Sequence, residues 1–219
     1  ETTISERKFL YNFFKYIWDG NGDVLEIGPF LGGTTRAIAK GMLDNIDRKE
    51  GRKIFTYDKF KGYYQPEQLI NSLKPAFQSG LFSESVKEGI RNSGNFLEVF
   101  ELFHKNQNYF GLIDFSEGVL PFSRNSIAET ENIFKIEEEK KFSAVFIDGA
   151  KSWYGLKYFM QETVPHTEEG SYYIFQDFGA RTCFWIPVFI ERFKDIFEFT
   201  AFVDDTYTFK LLRKITLEE

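Results

Sequence analysis

The sequence predicts an α/β fold: a mostly parallel, seven-stranded sheet that ends in a C-terminal antiparallel hairpin, with helices on both faces. Strand-like and helical segments alternate five times, which is typical of parallel sheets with right-handed crossovers. The chain then ends in two segments of alternating pattern, Phe197–Val203 and Thr206–Leu212. They flank Asp204-Asp205, and this pattern predicts the hairpin.

Local patterns place the first elements. Thr3 and Glu6 have the spacing of a capping box, and apolar residues recur after them at helical intervals. A glycine-rich segment ends this helix, and Val24–Ile27 follows as a short apolar strand. A second helix is predicted through residues 36–40.

Four further strands are predicted: Lys53–Tyr57, Tyr109–Ile113, Phe142–Ile147 and Ser171–Gln176. Residues 61–105 read as irregular to helical, and later helices are predicted at 156–162 and 184–193. The five parallel strands are closed by five acidic residues: Glu26, Asp58, Asp114, Asp148 and Asp177. Ligands of open α/β sheets bind outside the carboxyl ends of the strands, and a buried carboxylate without a partner is costly. We therefore expect a ligand, a cation or several N–H groups at these side chains.

Composition and charge narrow the class of protein. The 219 residues suit one domain over 1–219, with an N-terminal helix in 1–22 and the core in 23–215. The start at Glu1, without a signal sequence, is consistent with a fragment of a longer polypeptide. A net charge of −6 argues against nucleic-acid binding. A single cysteine excludes an internal disulfide and favours a cytoplasmic location. No apolar run approaches the roughly 20 residues that span a membrane.

The most informative segment joins the first strand to the second helix. It has the pattern E-x-G-x-x-x-G-G, from Glu26 to Gly33. Glycines let the backbone approach a ligand, and a helix start offers N–H groups to a carboxylate or phosphate. The spacing is neither the G-x-G-x-x-G of hydride-transfer enzymes nor that of phosphate-cradling loops.

This segment resembles motif I of the class I S-adenosylmethionine-dependent methyltransferases, and most closely the E-x-G-x-x-x-G-x-[ST] form of catechol-type O-methyltransferases. The resemblance implies a Rossmann-like fold and S-adenosylmethionine as cofactor. It implies cofactor contacts from Glu26, Gly28, Phe30, Gly32, Gly33 and Thr34, ribose binding by Asp58, and an adenine border at Ile113 and Asp114. A turn aspartate at residue 58 and a plain strand end at 113–114 are the alternatives.

The turn after the fourth strand carries the second resemblance. Asp148 and Lys151 have the D-x-x-K spacing of the catechol-type enzymes, which implies a metal ligand followed by a general base. Lys151 can act as a base only if burial or neighbouring charge lowers its pKa toward neutrality. A surface lysine that opens a helix is the alternative. We predict Lys151, Asp148 and Asp177 as the catalytic residues.

Asp148 and Asp177 together suggest a site for Mg²⁺. In the related enzymes, including macrolide-sugar O-methyltransferases, another oxygen ligand follows the second aspartate, but here that residue is Phe178. Two carboxylates can still hold Mg²⁺ if water and a substrate diol supply the remaining ligands.

The function that these resemblances imply is O-methylation of a hydroxyl on a small or carbohydrate acceptor, with a sugar as the first choice. A homodimer is compatible with the sequence. One alternative is a cofactor-binding domain without transfer activity, which Phe178 keeps open. Another is an NAD-dependent oxidoreductase, and the missing G-x-G-x-x-G argues against it. We expect surface positions for both histidines, His104 and His166.

Overall fold

The computed structural model describes residues 2–127 and 130–216. Its sheet has the order β3-β2-β1-β4-β5-β7-β6, with β7 antiparallel to both of its neighbours and the other pairs parallel. This confirms the predicted fold class. The predicted single domain of 1–219 stays a prediction, and its ends at residue 1 and residues 217–219 lie outside the described residues.

The elements have the following bounds. The strands are β1 (Asp23–Ile27), β2 (Ile54–Asp58), β3 (Ile113–Glu117), β4 (Phe142–Ile147), β5 (Tyr172–Phe175), β6 (Phe197–Val203) and β7 (Thr206–Leu211). The helices are α1 (Ile4–Tyr16), α2 (Gly33–Leu43), α3 (Pro66–Ser72), α4 (Lys74–Gln78), α5 (Glu84–Ser93), α6 (Leu97–His104), α7 (Trp153–Thr163) and α8 (Trp185–Arg192).

Within the described part of the chain, two apolar cores cover the two faces of the sheet. Along β1, Val24 belongs to the core formed with α1, α2, α3, α5 and α6, whereas Leu25 and Ile27 belong to the core formed with α7 and α8. Successive strand residues point to opposite faces, so a strand buried on both sides reads as a continuous apolar run. The central strands therefore stood out in the sequence.

The predicted capping box of α1 is confirmed, and it ties the helix to the sheet. The Thr3 hydroxyl accepts the N–H of Glu6, and the Glu6 carboxylate accepts the N–H of Thr3 at 2.6 Å. Glu6 is buried and also accepts hydrogen bonds from Gln176 at 3.0 Å and Thr206 at 2.9 Å. The start of α1 is thereby held at the carboxyl end of β5.

The prediction for the third strand is wrong. The apolar run before residue 113 buries Tyr109 and forms a 3₁₀ turn at Phe110–Leu112, and β3 begins only at Ile113. β3 is an edge strand with partly exposed residues, so its sequence lacks a continuous apolar run. The strand was therefore predicted on the wrong residues.

This shift corrects the predicted adenine border. Ile113 and Asp114 lie at the amino end of β3, where Asp114 is half exposed and pairs with Lys53 at 3.8 Å. The acidic residue at the carboxyl end is Glu117, which stands beside Asp58 in the register. The sequence-based placement of Ile113 and Asp114 at the ligand edge is therefore wrong.

No helix within residues 2–127 and 130–216 combines the length and apolar character needed to cross a bilayer.

Replacing Phe159 tests the core between α7 and the sheet. Its ring is fully buried and stacks on Phe134 with centroids 5.5 Å apart. We expect Phe159→Ala to lower the free energy of unfolding in urea by about 3–5 kcal/mol. The control Phe122→Ala alters a ring that is 73% exposed and should change it by less than about 0.5 kcal/mol. Equal losses in the two variants would contradict this packing.

Candidate active site

The glycine turn, residues 28–33 between β1 and α2, has a backbone conformation that would be strained in residues other than glycine. Gly28 and Gly32 have φ of +83° and +80°, in the left-handed region that favours glycine. A Cβ on Gly28 would lie 2.8 Å from the carbonyl carbon of Asp148. The turn therefore packs directly against the turn that follows β4.

Glu26 is buried beneath this turn among threonine hydroxyls. Its carboxylate accepts hydrogen bonds from Thr34 at 2.5 Å, Thr35 at 2.6 Å and Thr56 at 2.7 Å. Burial raises the pKa of Glu26 to about 7, although the three hydroxyls oppose that rise. The cluster joins β1, α2 and β2. Because Glu26 and Thr34 are both buried here, their predicted contacts with a cofactor stay predictions.

Asp58 joins the end of β2 to the glycine turn. Its two carboxylate oxygens accept the N–H groups of Phe30 and Phe60, each at 2.9 Å. Burial raises the pKa of Asp58, and these N–H donors counteract it. The Phe30 ring contacts Tyr63 and Tyr64 with centroids 5.7 and 5.6 Å apart, so aromatic side chains adjoin the carboxylate.

Asp148, Lys151 and Asp177 meet at the ends of β4 and β5. The Lys151 Nζ lies 2.8 Å from Asp148 Oδ1 and 2.6 Å from Asp177 Oδ2. Burial raises the pKa of Asp148 to about 6, while the ammonium of Lys151 acts against the rise. The three residues that the sequence predicts as catalytic thus lie together in the structure, and their catalytic roles stay predictions.

The condition for Lys151 as a general base is not met in this arrangement. Burial alone would lower its pKa, but the carboxylates of Asp148 and Asp177 outweigh burial and raise it. An amine held between two carboxylates keeps its proton. Lys151 is therefore an ammonium donor here.

The donor set does not fit Mg²⁺. The Lys151 ammonium contacts both aspartates that would bind the ion. Phe178 offers no side-chain oxygen, and its ring stacks on Tyr207 with centroids 4.4 Å apart. Among the described residues, no group of three or more His, Cys, Asp or Glu side chains is arranged to hold a metal. The suggested metal site is thus not supported.

The surface position expected for His104 is wrong. Its side chain is buried beneath the glycine turn, where a Cβ on Gly32 would lie only 2.0 Å from Nε2. Burial lowers its pKa to about 4, so the imidazole is neutral at pH 7. Helical spacing from the buried Phe100 was the signal for this position. His166 is partly buried, with Nδ1 2.9 Å from the carbonyl oxygen of Lys140.

Arg7 is a candidate that the sequence did not reveal. It is an exposed residue of α1, and a Cβ on Gly33 would lie 3.5 Å from its Nη1. The capping box and Glu6 fix the start of α1, and this brings a cation beside the N-terminus of α2. No sequence motif links residue 7 to residue 33, because their proximity depends on how α1 packs.

Comparisons with known proteins place the fold. No family model matches the chain, and no curated protein matches it significantly. Among solved structures, the chain is similar to the O-methyltransferase NovP (15% identity, TM-score 0.57, covering 96% of this chain and 81% of that chain). It is also similar to the calicheamicin methyltransferase CalS11 (13% identity, TM-score 0.59, 94% and 79%). A methyltransferase from Geobacter sulfurreducens matches at 9% identity and TM-score 0.52, covering 96% and 80%. At such identities the similarity shows that the chain has the fold of these methyltransferases.

The buried Glu26 predicts a pH-dependent stability. The folded state binds its proton more tightly than the unfolded chain between the ordinary pKa of 4.5 and about 7. The free energy of unfolding therefore falls as pH rises through this window, by up to about 3 kcal/mol. Glu26→Gln should lack this fall when urea unfolding is measured at each pH.

Asp148 causes a similar fall in the free energy of unfolding at lower pH. The contribution of Glu26 is therefore clearest between pH 6 and 7. The exposed Glu98 provides a matched control, and Glu98→Gln should follow the wild-type profile. Parallel profiles for wild type and Glu26→Gln would show that Glu26 titrates normally.

Proposed function

We propose that this protein is an S-adenosylmethionine-dependent O-methyltransferase that acts on a hydroxyl of a sugar-type acceptor. The observation that carries the proposal is one edge of the sheet. There the glycine turn, the buried Asp58 and the Asp148–Lys151–Asp177 cluster adjoin one another. This is the edge at which open α/β sheets bind their ligands.

The turn and Asp58 fit the cofactor. A carboxylate can accept hydrogen bonds from two vicinal hydroxyls, so Asp58 suits the ribose. Its two oxygens have more lone pairs than the two N–H donors of Phe30 and Phe60 occupy, so they can accept further hydrogen bonds. Ribose binding requires Phe30 and its aromatic neighbours to move outward, because Asp58 is only 2% exposed. The N-terminus of α2 and the nearby Arg7 suit the carboxylate of the methionine portion. Glu117, which pairs with Asp58 in the strand register, is a better candidate than Asp114 for the border of the adenine.

A cleft formed in part by Tyr63 and Tyr64, whose rings contact Phe30, suits a carbohydrate acceptor. It has a volume of about 640 Å³, and its lining includes Tyr63, Tyr64, Gln65, Gln68 and Asn92. Tyrosine rings present apolar faces with a polar tip, and amides offer both donors and acceptors to hydroxyl groups. Among proteins with this fold, CalS11 is described as a TDP-rhamnose 3′-O-methyltransferase. That description is consistent with a sugar acceptor here.

In the reaction, the residues of this chain orient the acceptor hydroxyl and take its proton. S-adenosylmethionine supplies an electrophilic methyl group, so the acceptor oxygen needs alignment and loss of its proton. Asp148, whose pKa is about 6, is suited to take that proton near neutral pH. Lys151 remains protonated and donates hydrogen bonds within the site.

The alternatives have less support. In the order of NAD-binding Rossmann sheets the sixth strand follows the fifth, whereas here the antiparallel β7 lies between β5 and β6. A domain that binds cofactor without transfer leaves the paired Asp148 and Lys151 unexplained. The expectation of no nucleic-acid and no membrane partner, the possible homodimer and the cytoplasmic location stay predictions from the sequence.

Calorimetric titration with S-adenosylhomocysteine tests the proposal. We expect micromolar binding by the wild type and at least tenfold weaker binding by Asp58→Ala, a loss of about 1.4 kcal/mol or more. The substitution removes the carboxylate that would accept hydrogen bonds from the ribose hydroxyls. It also leaves the N–H groups of Phe30 and Phe60 without their hydrogen-bond acceptor.

The matched control is Asp114→Ala, which removes an aspartate from the opposite end of the neighbouring strand. Its affinity should equal that of the wild type. If the wild type does not bind, or if both variants lose affinity equally, the proposed site is wrong.

A further inference from the structure

We propose that Lys151 is a built-in cation that does the electrostatic work of a divalent metal, so that the acceptor site functions without one. The inference rests on the proposed function for its catalytic meaning, because an acceptor hydroxyl must be held at this cluster. Its structural part stands on the contacts of three side chains and on the residue that follows Asp177.

A cation separates the two carboxylates of this cluster. Asp148 and Asp177 converge on one point from two adjacent parallel strands, β4 and β5. Two carboxylates at one site repel each other unless a cation lies between them. The ammonium of Lys151 contacts one oxygen of each, at 2.8 and 2.6 Å, and thereby fills the position that a bridging cation would take.

The residue that follows Asp177 supplies no oxygen ligand. Phe178 follows Asp177, and its ring packs against the C-terminal hairpin. The ring centroids of Tyr207 and Phe209 lie 4.4 and 5.4 Å away. A side chain packed in this way could not turn toward the cluster without uncovering the hairpin. The two aspartates and the lysine therefore form a self-contained set.

The Lys151 ammonium retains one N–H donor for a ligand. An ammonium has three N–H groups, and two of them are used on the aspartates. The side chain of Lys151 is still 45% exposed, so its third N–H is accessible to a ligand. That donor can hold the acceptor oxygen while an adjacent carboxylate takes the hydroxyl proton. The oxygen then forms its bond to the methyl carbon as the carbon–sulfur bond breaks, and the electron pair of that bond goes to sulfur.

Mn²⁺ binding tests this directly, because electron paramagnetic resonance counts the free ion and needs neither cofactor nor acceptor. Wild type should bind no Mn²⁺ at this site at a free concentration of about 1 mM, a range in which ordinary protein sites saturate. Lys151→Met keeps the length of the side chain but removes the charge. We expect this variant to bind one Mn²⁺ with a dissociation constant of about 0.1 mM or less, at least tenfold below the concentration at which the wild type binds none.

Two further variants assign the gained site. Adding Asp148→Asn to Lys151→Met should abolish it, whereas Lys157→Met, an exposed lysine of α7, should behave as wild type. Circular dichroism melting confirms that each variant is folded. The proposal would be overturned if the wild type bound Mn²⁺ and Asp148→Asn abolished that binding. It would also be overturned if Lys151→Met bound no Mn²⁺.

The readings also separate this inference from the proposed function. Failure to bind S-adenosylhomocysteine together with the expected Mn²⁺ pattern would refute the methyltransferase assignment and leave the built-in cation standing. If the wild type bound both S-adenosylhomocysteine and Mn²⁺ at Asp148, the built-in cation would be refuted and the methyltransferase assignment would stand.

Discussion

A buried carboxylate determines how the ligand edge of this protein is built. Glu26 lies at the end of β1 with no exposed surface, and an unpaired charge there would be costly. Three threonine hydroxyls from α2 and β2 solvate it. The turn between Glu26 and Thr34 must therefore return to the sheet within a few residues. Glycines with positive φ make that return sterically feasible.

The rest of the site follows from that turn. Because it is tight, the N–H of Phe30 reaches Asp58, and Gly28 packs against the turn that carries Asp148. Parallel strands end at the same edge, so the carboxylates of β2, β4 and β5 are brought close in space although they are far apart in sequence. The chemistry proposed here thus depends on the same contacts that hold the strands and α2 in register.

Several of these features could be predicted from the sequence because they arise from local rules. The capping box at Thr3, the buried central strands and the glycine turn each depend on neighbouring residues, and each was confirmed. The third strand failed because an apolar run before Ile113 is buried through Tyr109 in a turn instead of a strand. The burial of His104 was signalled by its helical spacing from Phe100, although the prediction missed it. The approach of Arg7 to α2 depends on packing between distant segments, which no local pattern encodes.

The state of Lys151 could not be predicted for a related reason. Its spacing from Asp148 is local, but its second partner, Asp177, comes from the next strand. That second contact changes the residue from a candidate base into a fixed ammonium. The same contact also decides against the metal that two aspartates alone would suggest.

The central claim is that this edge of the sheet holds S-adenosylmethionine. The most direct test is a crystal structure of the protein with S-adenosylhomocysteine. The account predicts the ligand across the glycine turn, with its ribose hydroxyls on Asp58, Phe30 moved outward, and its sulfur facing Lys151. Crystals grown at millimolar ligand that show the edge empty, or the ligand bound elsewhere, would contradict it.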